Sequence, residues 1–301
     1  MSLSGNLRSI AAMLAACAMF ACMDALMKAL VAHYPPLQVT ALRGLTSLPV
    51  VCLYILWRRE VGAVAGRHLR WGLHLLRGAI GVAMLWLFTT GLRGLGLAEA
   101  YTLSFVAPML ITILAIPLLG ESARTRHWVA IAVGFAGVVV ALRPNRSAFL
   151  SVPALAVLGA AVCYSVFNVL GRLIGRTEPS SSLVLWTTAA MAVFGGALAL
   201  PDWVPVRGEH ALLLGGLAVS GFLGQLAVSE AFRHGQAAAV APFEYSALAW
   251  AVLVDWTFWR TTPDAWTLAG AAIIVTSGIY LVRGEMPGAP PLTPAAGRSR
   301  S

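Results

Sequence analysis

Long apolar runs alternate along the chain with short segments in which arginine, glycine and proline gather. Five runs carry no charged residue at all: 100–120, 148–171, 179–201, 211–229 and 265–282. A membrane-spanning helix takes about 20 mostly apolar residues, so each of these is long enough to cross a bilayer. The other apolar runs hold one or two ionisable residues each, and their length and flanking charge argue for spans as well. The pattern predicts an all-α, polytopic membrane protein with ten helices, at 10–31, 37–57, 71–92, 100–119, 127–142, 150–172, 180–200, 210–232, 238–258 and 265–282. The first run leads straight into Asp24 and Lys28 without a cleavage pattern, as expected of a retained helix. Beyond the last span, 285–301 is too poor in large apolar residues to pack and reads as a disordered basic tail.

With 59% hydrophobic and 11% charged residues among 301, the chain cannot clothe a soluble globule in polar surface. Its formal charge of +9 changes the picture only in one respect. The basic residues gather on no soluble domain, so nucleic acid is not an expected partner. With the N-terminus in the cytoplasm, thirteen of the 21 lysines and arginines fall in inside segments and five in outside ones, which predicts that both termini are cytoplasmic. Cys17, Cys22, Cys52 and Cys163 lie inside apolar runs without metal-ligand or CxxC spacing and read as small apolar fillers. Neither metal nor cofactor is expected.

The chain also resembles itself. A shift of 144 aligns Phe20 with Tyr164, Asp24 with Asn168, Lys28 with Arg172 and Pro35 with Pro179, and a shift of 140 aligns Gly81 with Gly221 and Arg93 with Arg233. This predicts two five-helix repeats, 1–145 and 146–284. Five is odd, so the second repeat enters the membrane upside down relative to the first. Inverted repeats of this kind build secondary transporters whose sites lie where the halves meet.

Charges inside spans cost about 2.5–3.5 kcal/mol each at the bilayer centre, so they should face a partner or a cavity. Counting depth at about 1.5 Å per residue makes Asp24 level with Arg43, with Lys28 one turn from Asp24 on the same face. Arg77 is level with Glu244 by the same count. The expectation is an outer Asp24, Lys28, Arg43 cluster and an inner Arg77–Glu244 pair, gating or tethering the two ends of a central pathway. His74 reads as an interfacial hydrogen-bonding residue. Pro108, near the midplane, interrupts helical bonding where a cavity is expected. Trp86, Tyr101, Ser104, Tyr164, Asn168, Gln225, Glu244 and Tyr245 are the candidate lining around it. Aromatic faces with hydroxyl, amide and charged groups suit a zwitterion carrying a bulky side chain. Glycine rows at Gly134, Gly137, Gly270 and Gly278 predict close helix contact, with a monomer or a homodimer both compatible.

The segments FACMDALMKAL from Phe20, VTALRGL from Val39, APMLITILAIPLLGE from Ala107 and APFEYSALAWAVLVDW from Ala241 resemble the drug/metabolite transporter superfamily in its ten-helix EamA branch. The resemblance implies functional charges at Lys28, Arg43 and Glu121; Thr261 stands where the second repeat would carry a matching glutamate. It also implies a bacterial inner-membrane carrier of small metabolites, nearest in look to amino-acid exporters. Another metabolite or drug, such as a nucleobase, nucleoside or sugar derivative, is the alternative. No catalytic residue is expected, because HExxH, GxSxG and Walker motifs are missing. A membrane-embedded enzyme is the rival from another class.

Overall fold

A computed structural model describes residues 3–64, 69–119, 125–142, 151–234 and 241–285, and every regular element among them is helical. In chain order these are α1 (Leu3–Leu30), α2 (Pro36–Arg58), the single turn α3 (Val61–Val64), α4 (Trp71–Leu92), α5 (Leu97–Ser104) and α6 (Ala107–Leu119). They continue with α7 (Thr125–Leu142), α8 (Val152–Ile174), α9 (Ser180–Ala190), α10 (Gly196–Ala199), α11 (Ala211–His234), α12 (Ser246–Val254) and α13 (Ala265–Glu285). Among the described residues, six stretches are long and apolar enough to cross a membrane: Arg8–Leu30, Pro36–Arg58, Trp71–Leu92, Val152–Ile174, Ser180–Asp202 and Gly208–Val228. Shorter apolar helices occupy Leu97–Ile111, Ile131–Ala141 and Ala265–Tyr280. Leu53, Trp57 and Phe258 stand more than 60% exposed, at 66%, 79% and 71%, a surface that water rejects and acyl chains accept. The protein is a multi-pass integral membrane protein.

Three expected spans are not single α-helices. The run 100–119 divides into α5 and α6, with Phe105 and Val106 between them. Pro108 is the second residue of α6 and has no N–H to offer the carbonyl of Ser104, so the α-helical ladder stops there. Val106 turns its N–H to Leu103 at 3.4 Å instead, and Ser165 of α8 donates to the carbonyl of Ala107 at 3.2 Å. Between α9 and α10 the helix widens into a π stretch, Met191–Gly195. The described part of the run 238–258 opens on a 3-10 turn, Ala241–Tyr245, and finishes as a π turn, Asp255–Trp259. Of the expected tail at 285–301, Glu285 is the last residue of α13 and 286–301 lie outside the described residues, as does Glu121.

Packing follows the small residues. Along α11, Gly216, Gly221 and Gly224 receive Leu26, Met23 and Phe20 of α1. On α4, Gly78 meets Ala190 of α9, while Gly81 and Gly91 meet Phe167 and Val157 of α8. A side chain at Gly270 of α13 would stand 2.6 Å from the Gly137 carbonyl of α7, so these helices touch backbone to backbone. Gly278 has another use: the Tyr245 hydroxyl fills the space its side chain would take.

Candidate functional site

Where α1 and α4 finish, a cavity of about 810 Å³ opens between the last turn of α1, the α4–α5 connection and the π turn after α12. Its wall carries two cationic residues, Lys28 and Arg93, and two anionic ones, Glu99 and Asp255. Lys28 Nζ lies 2.8 Å from Asp255 Oδ1, and Asp255 Oδ2 accepts the N–H of Ala98 at 2.9 Å. Ala98 is in the first turn of α5, whose N–H groups have no partner within the helix, so the carboxylate caps α5 and neutralises Lys28 at once. The ammonium also sits 4.3 Å from the centre of the Trp259 ring. Gly96 makes room, since a side chain there would stand 3.0 Å from Asp255 Oδ2.

Deeper along α1, the Tyr101 hydroxyl donates to Asp24 Oδ2 at 2.6 Å. Arg43 of α2 lies within electrostatic reach of that carboxylate and contacts Met27 Sδ at 3.8 Å. The expected outer cluster is therefore divided. Asp24, bonded to Tyr101, and Arg43 stay within electrostatic reach of each other, whereas Lys28 turns across to Asp255, a residue that the sequence reading did not single out. Asp255 is 2% exposed and needs a cation, which the long lysine supplies from another helix. An aspartate near the end of an apolar run was the available signal.

The expected inner pair is not formed. Arg77 donates to the Leu183 carbonyl at 3.1 Å, the Thr187 hydroxyl and the Phe167 carbonyl at 3.3 Å, and its guanidinium lies 3.7 Å from the Phe167 ring centre. Glu244 belongs to the 3-10 turn, which packs on α1 and α13, while α4 packs on α8 and α9. Equal depth places two groups at one height but says nothing of direction around the axis. Glu244 is instead within electrostatic reach of Tyr164 and Tyr245.

The other candidate lining residues separate. Ser104 and Asn168 bond carbonyls of their own helices, Ala100 and Tyr164, both at 2.8 Å. Pro108 sits at the α5–α6 break and Gln225 on an exposed position of α11. Trp86 and Tyr164 are 42% and 45% exposed. Tyr101, Phe105 and Tyr245 form a line of rings, with centroids 6.4 and 5.2 Å apart, that leads inward from Asp24. No metal-holding cluster occurs among the described residues.

Tyr101→Phe removes only the hydroxyl that serves the buried Asp24. It is expected to destabilise the fold by about 1–3 kcal/mol, the cost of leaving a buried acceptor without its donor. Thermal unfolding in detergent checks this; an unchanged midpoint would show that Asp24 finds another donor.

The family model of the EamA-like transporter family matches the chain twice, over residues 7–143 and 152–283. Among curated relatives, the riboflavin transporter of Vibrio cholerae is 30% identical over 223 residues, covering 73% of this chain and 74% of its own length. An S-adenosylmethionine uptake transporter of Rickettsia felis is 28% identical over 70% of this chain and 72% of its own. The pseudopaline exporter of Pseudomonas aeruginosa is 27% identical over 88% and 92%. A solved crystal structure superposes on 95% of this chain and 100% of its own at a TM-score of 0.61, with 20% identity, a likeness of fold alone. With both halves of its length matched by one model, the chain belongs to the EamA-like transporter family.

Proposed function

We infer that the protein is a secondary transporter of ten spans, arranged as two inverted five-helix halves, that exports amino acids by alternating access across a bacterial inner membrane. The twofold family match supports the halves. So does the packing: α1 on α11 repeats α8 on α4, while α2 on the α9 region and α7 on α13 pair each element with its own counterpart. Phe105 and Tyr245, which touch ring to ring, are 140 residues apart, the shift that relates the two repeats. The distribution of arginines supports cytoplasmic termini, which turns the charge-lined cavity toward the outside.

The observation that carries the substrate reading is that cavity wall. Two cationic and two anionic residues, with an indole beside them, match a zwitterion with an apolar side chain better than a simple anion or cation. A second reading, a larger heterocyclic metabolite, draws on the cavity's 810 Å³ and on the riboflavin and S-adenosylmethionine named for two relatives.

Proteoliposomes supplied with labelled amino acids, riboflavin, S-adenosylmethionine, nucleosides and sugars separate these readings. Saturable uptake with counterflow is expected for neutral, and especially aromatic, amino acids. Movement of the heterocycles alone would replace the first reading by the second. A protein that moved none of them and released a chemical product would be an enzyme.

A further inference from the structure

Two contacts lock the halves together at equivalent positions of the repeat. Tyr34 precedes α2 and Glu178 precedes α9, 144 residues apart. The Tyr34 hydroxyl accepts the N–H of Arg207 at 3.0 Å and lies 2.7 Å from His210 Nδ1. Glu178 Oε1 accepts the N–H of Arg70 at 2.9 Å, and Oε2 lies 2.6 Å from His74 Nε2. Each side chain thus holds one backbone N–H and one imidazole at the entry to a helix of the other half. Further along, Gln38 accepts the N–H of Val204 at 2.9 Å, and Trp186 donates to the carbonyl of Val64 at 3.0 Å. Val64 and Val204 are themselves 140 apart. Tyr34, His210, His74 and Glu178 are all buried. In an inverted repeat these two latches close opposite ends.

Their chemistry differs. At the Glu178 latch an imidazole faces a carboxylate that Ser182 also bonds at 2.9 Å. Burial pushes the Glu178 carboxyl up, but the bonds from Arg70, His74 and Ser182 and the charge of His74 outweigh it and hold the group below the usual carboxylate range. A depressed group contributes stability above its unfolded value and loses it only as the pH falls through the lower folded one, so this carboxylate stays ionised in mild acid. A protonated His74 then makes a charge-assisted bond, roughly twice as strong as a neutral one.

At the Tyr34 latch the imidazole faces a phenol already occupied by an N–H. His33 stacks 4.6 Å from His210, Arg93 donates to the Tyr34 carbonyl, and the only carboxylate within 4.0 Å of the His210 ring nitrogens among the described residues is the exposed Glu209 at 3.9 Å. Protonation there buries a cation without a buried anion. Around the Glu178 latch the flanking charges are Arg70 and Arg77 on or before α4, Arg172 in the last turn of α8 and Arg176 beyond it, and Arg58, Arg59 and Glu60 where α2 ends. Arg67 and His68 lie outside the described residues.

We propose that the unequal latches make the carrier a proton-biased switch: acid tightens Glu178–His74 and loosens Tyr34–His210, which favours opening of the end that carries the cavity. This rests on the alternating-access reading above.

Spin labels at Ala32 and Thr262, both on the cavity wall, report that opening by pulsed electron resonance in lipid nanodiscs, in a chain whose four cysteines are replaced. Between about pH 8 and about pH 5.5 the ratio of wide to narrow separations is expected to rise about threefold or more. His74→Gln and Glu178→Gln, which keep hydrogen-bonding groups in place, are each expected to flatten most of that rise. Tyr34→Phe should raise the wide population at every pH and keep only the part of the slope that the Glu178 latch supplies. A flat response in the unsubstituted chain, or a slope untouched in both glutamine variants, overturns the switch. Liposomes that move no solute while the distances still respond to pH would sink the transporter reading alone.

Discussion

Asp255→Ala is expected to cost about 3–5 kcal/mol of stability and to abolish transport. The loss strands Lys28, whose ammonium has its carboxylate partner 2.8 Å away, and it leaves the N–H of Ala98 without an acceptor. Removing one member of a buried ion pair is more damaging than removing both, because the remaining charge is uncompensated. The double variant Lys28→Leu with Asp255→Leu should therefore recover most of the folded yield while remaining inactive. Thermal unfolding and flux on the three proteins distinguish the outcomes. If Asp255→Ala unfolded at the temperature of the parent, the ion pair would not be what joins α1 to the start of α5.

Gly44→Ala is expected to have a comparable effect through sterics alone. A methyl group there would meet the Ala192 backbone N at 2.4 Å and the Met191 carbonyl carbon at 2.8 Å. Both belong to the π stretch on which α2 lies, and backbone cannot move aside as a flexible side chain can. Overpacking typically costs about 1–3 kcal/mol, and backbone against backbone belongs at or above the upper end. Gly196→Ala supplies the control from the same region: nothing lies within 4 Å of its added methyl, so it should be neutral or slightly stabilising. The yield of monodisperse protein and its melting temperature measure both. Equal behaviour of the two variants would mean that α2 does not approach the stretch so closely.

Much of the fold is legible in the apolar runs, because span length follows from bilayer thickness. The second helix, the fourth element and the span over 265–282 stand within a few residues of where hydropathy puts them. Local geometry is less accessible. Pro108 announces a weak point, yet the decision to split into α5 and α6 also needs Ser165 of another helix to serve the Ala107 carbonyl. The charges divide in the same way. Depth along a helix is readable from residue counts, and Arg43 lies within electrostatic reach of Asp24; direction around the axis is not, which is why Arg77 faces Thr187 and Phe167 rather than Glu244. His74 reads as a lone histidine because its partner is 104 residues away in a connection between helices. Only the repeat could have pointed to it, since the shift that matches Pro35 with Pro179 also matches Tyr34 with Glu178.

The π stretch at Met191–Gly195 holds one residue more than a regular turn of the same height would. Were the same residues wound as an ordinary α-helix, the surplus one would swing everything downstream by about 100°, the rotation that one residue contributes. Val204, which Gln38 holds, would then leave the membrane pointing away from its partner. The wider turn absorbs that surplus amino acid and acts as a steering correction, aiming the emerging chain at the side chain of Gln38.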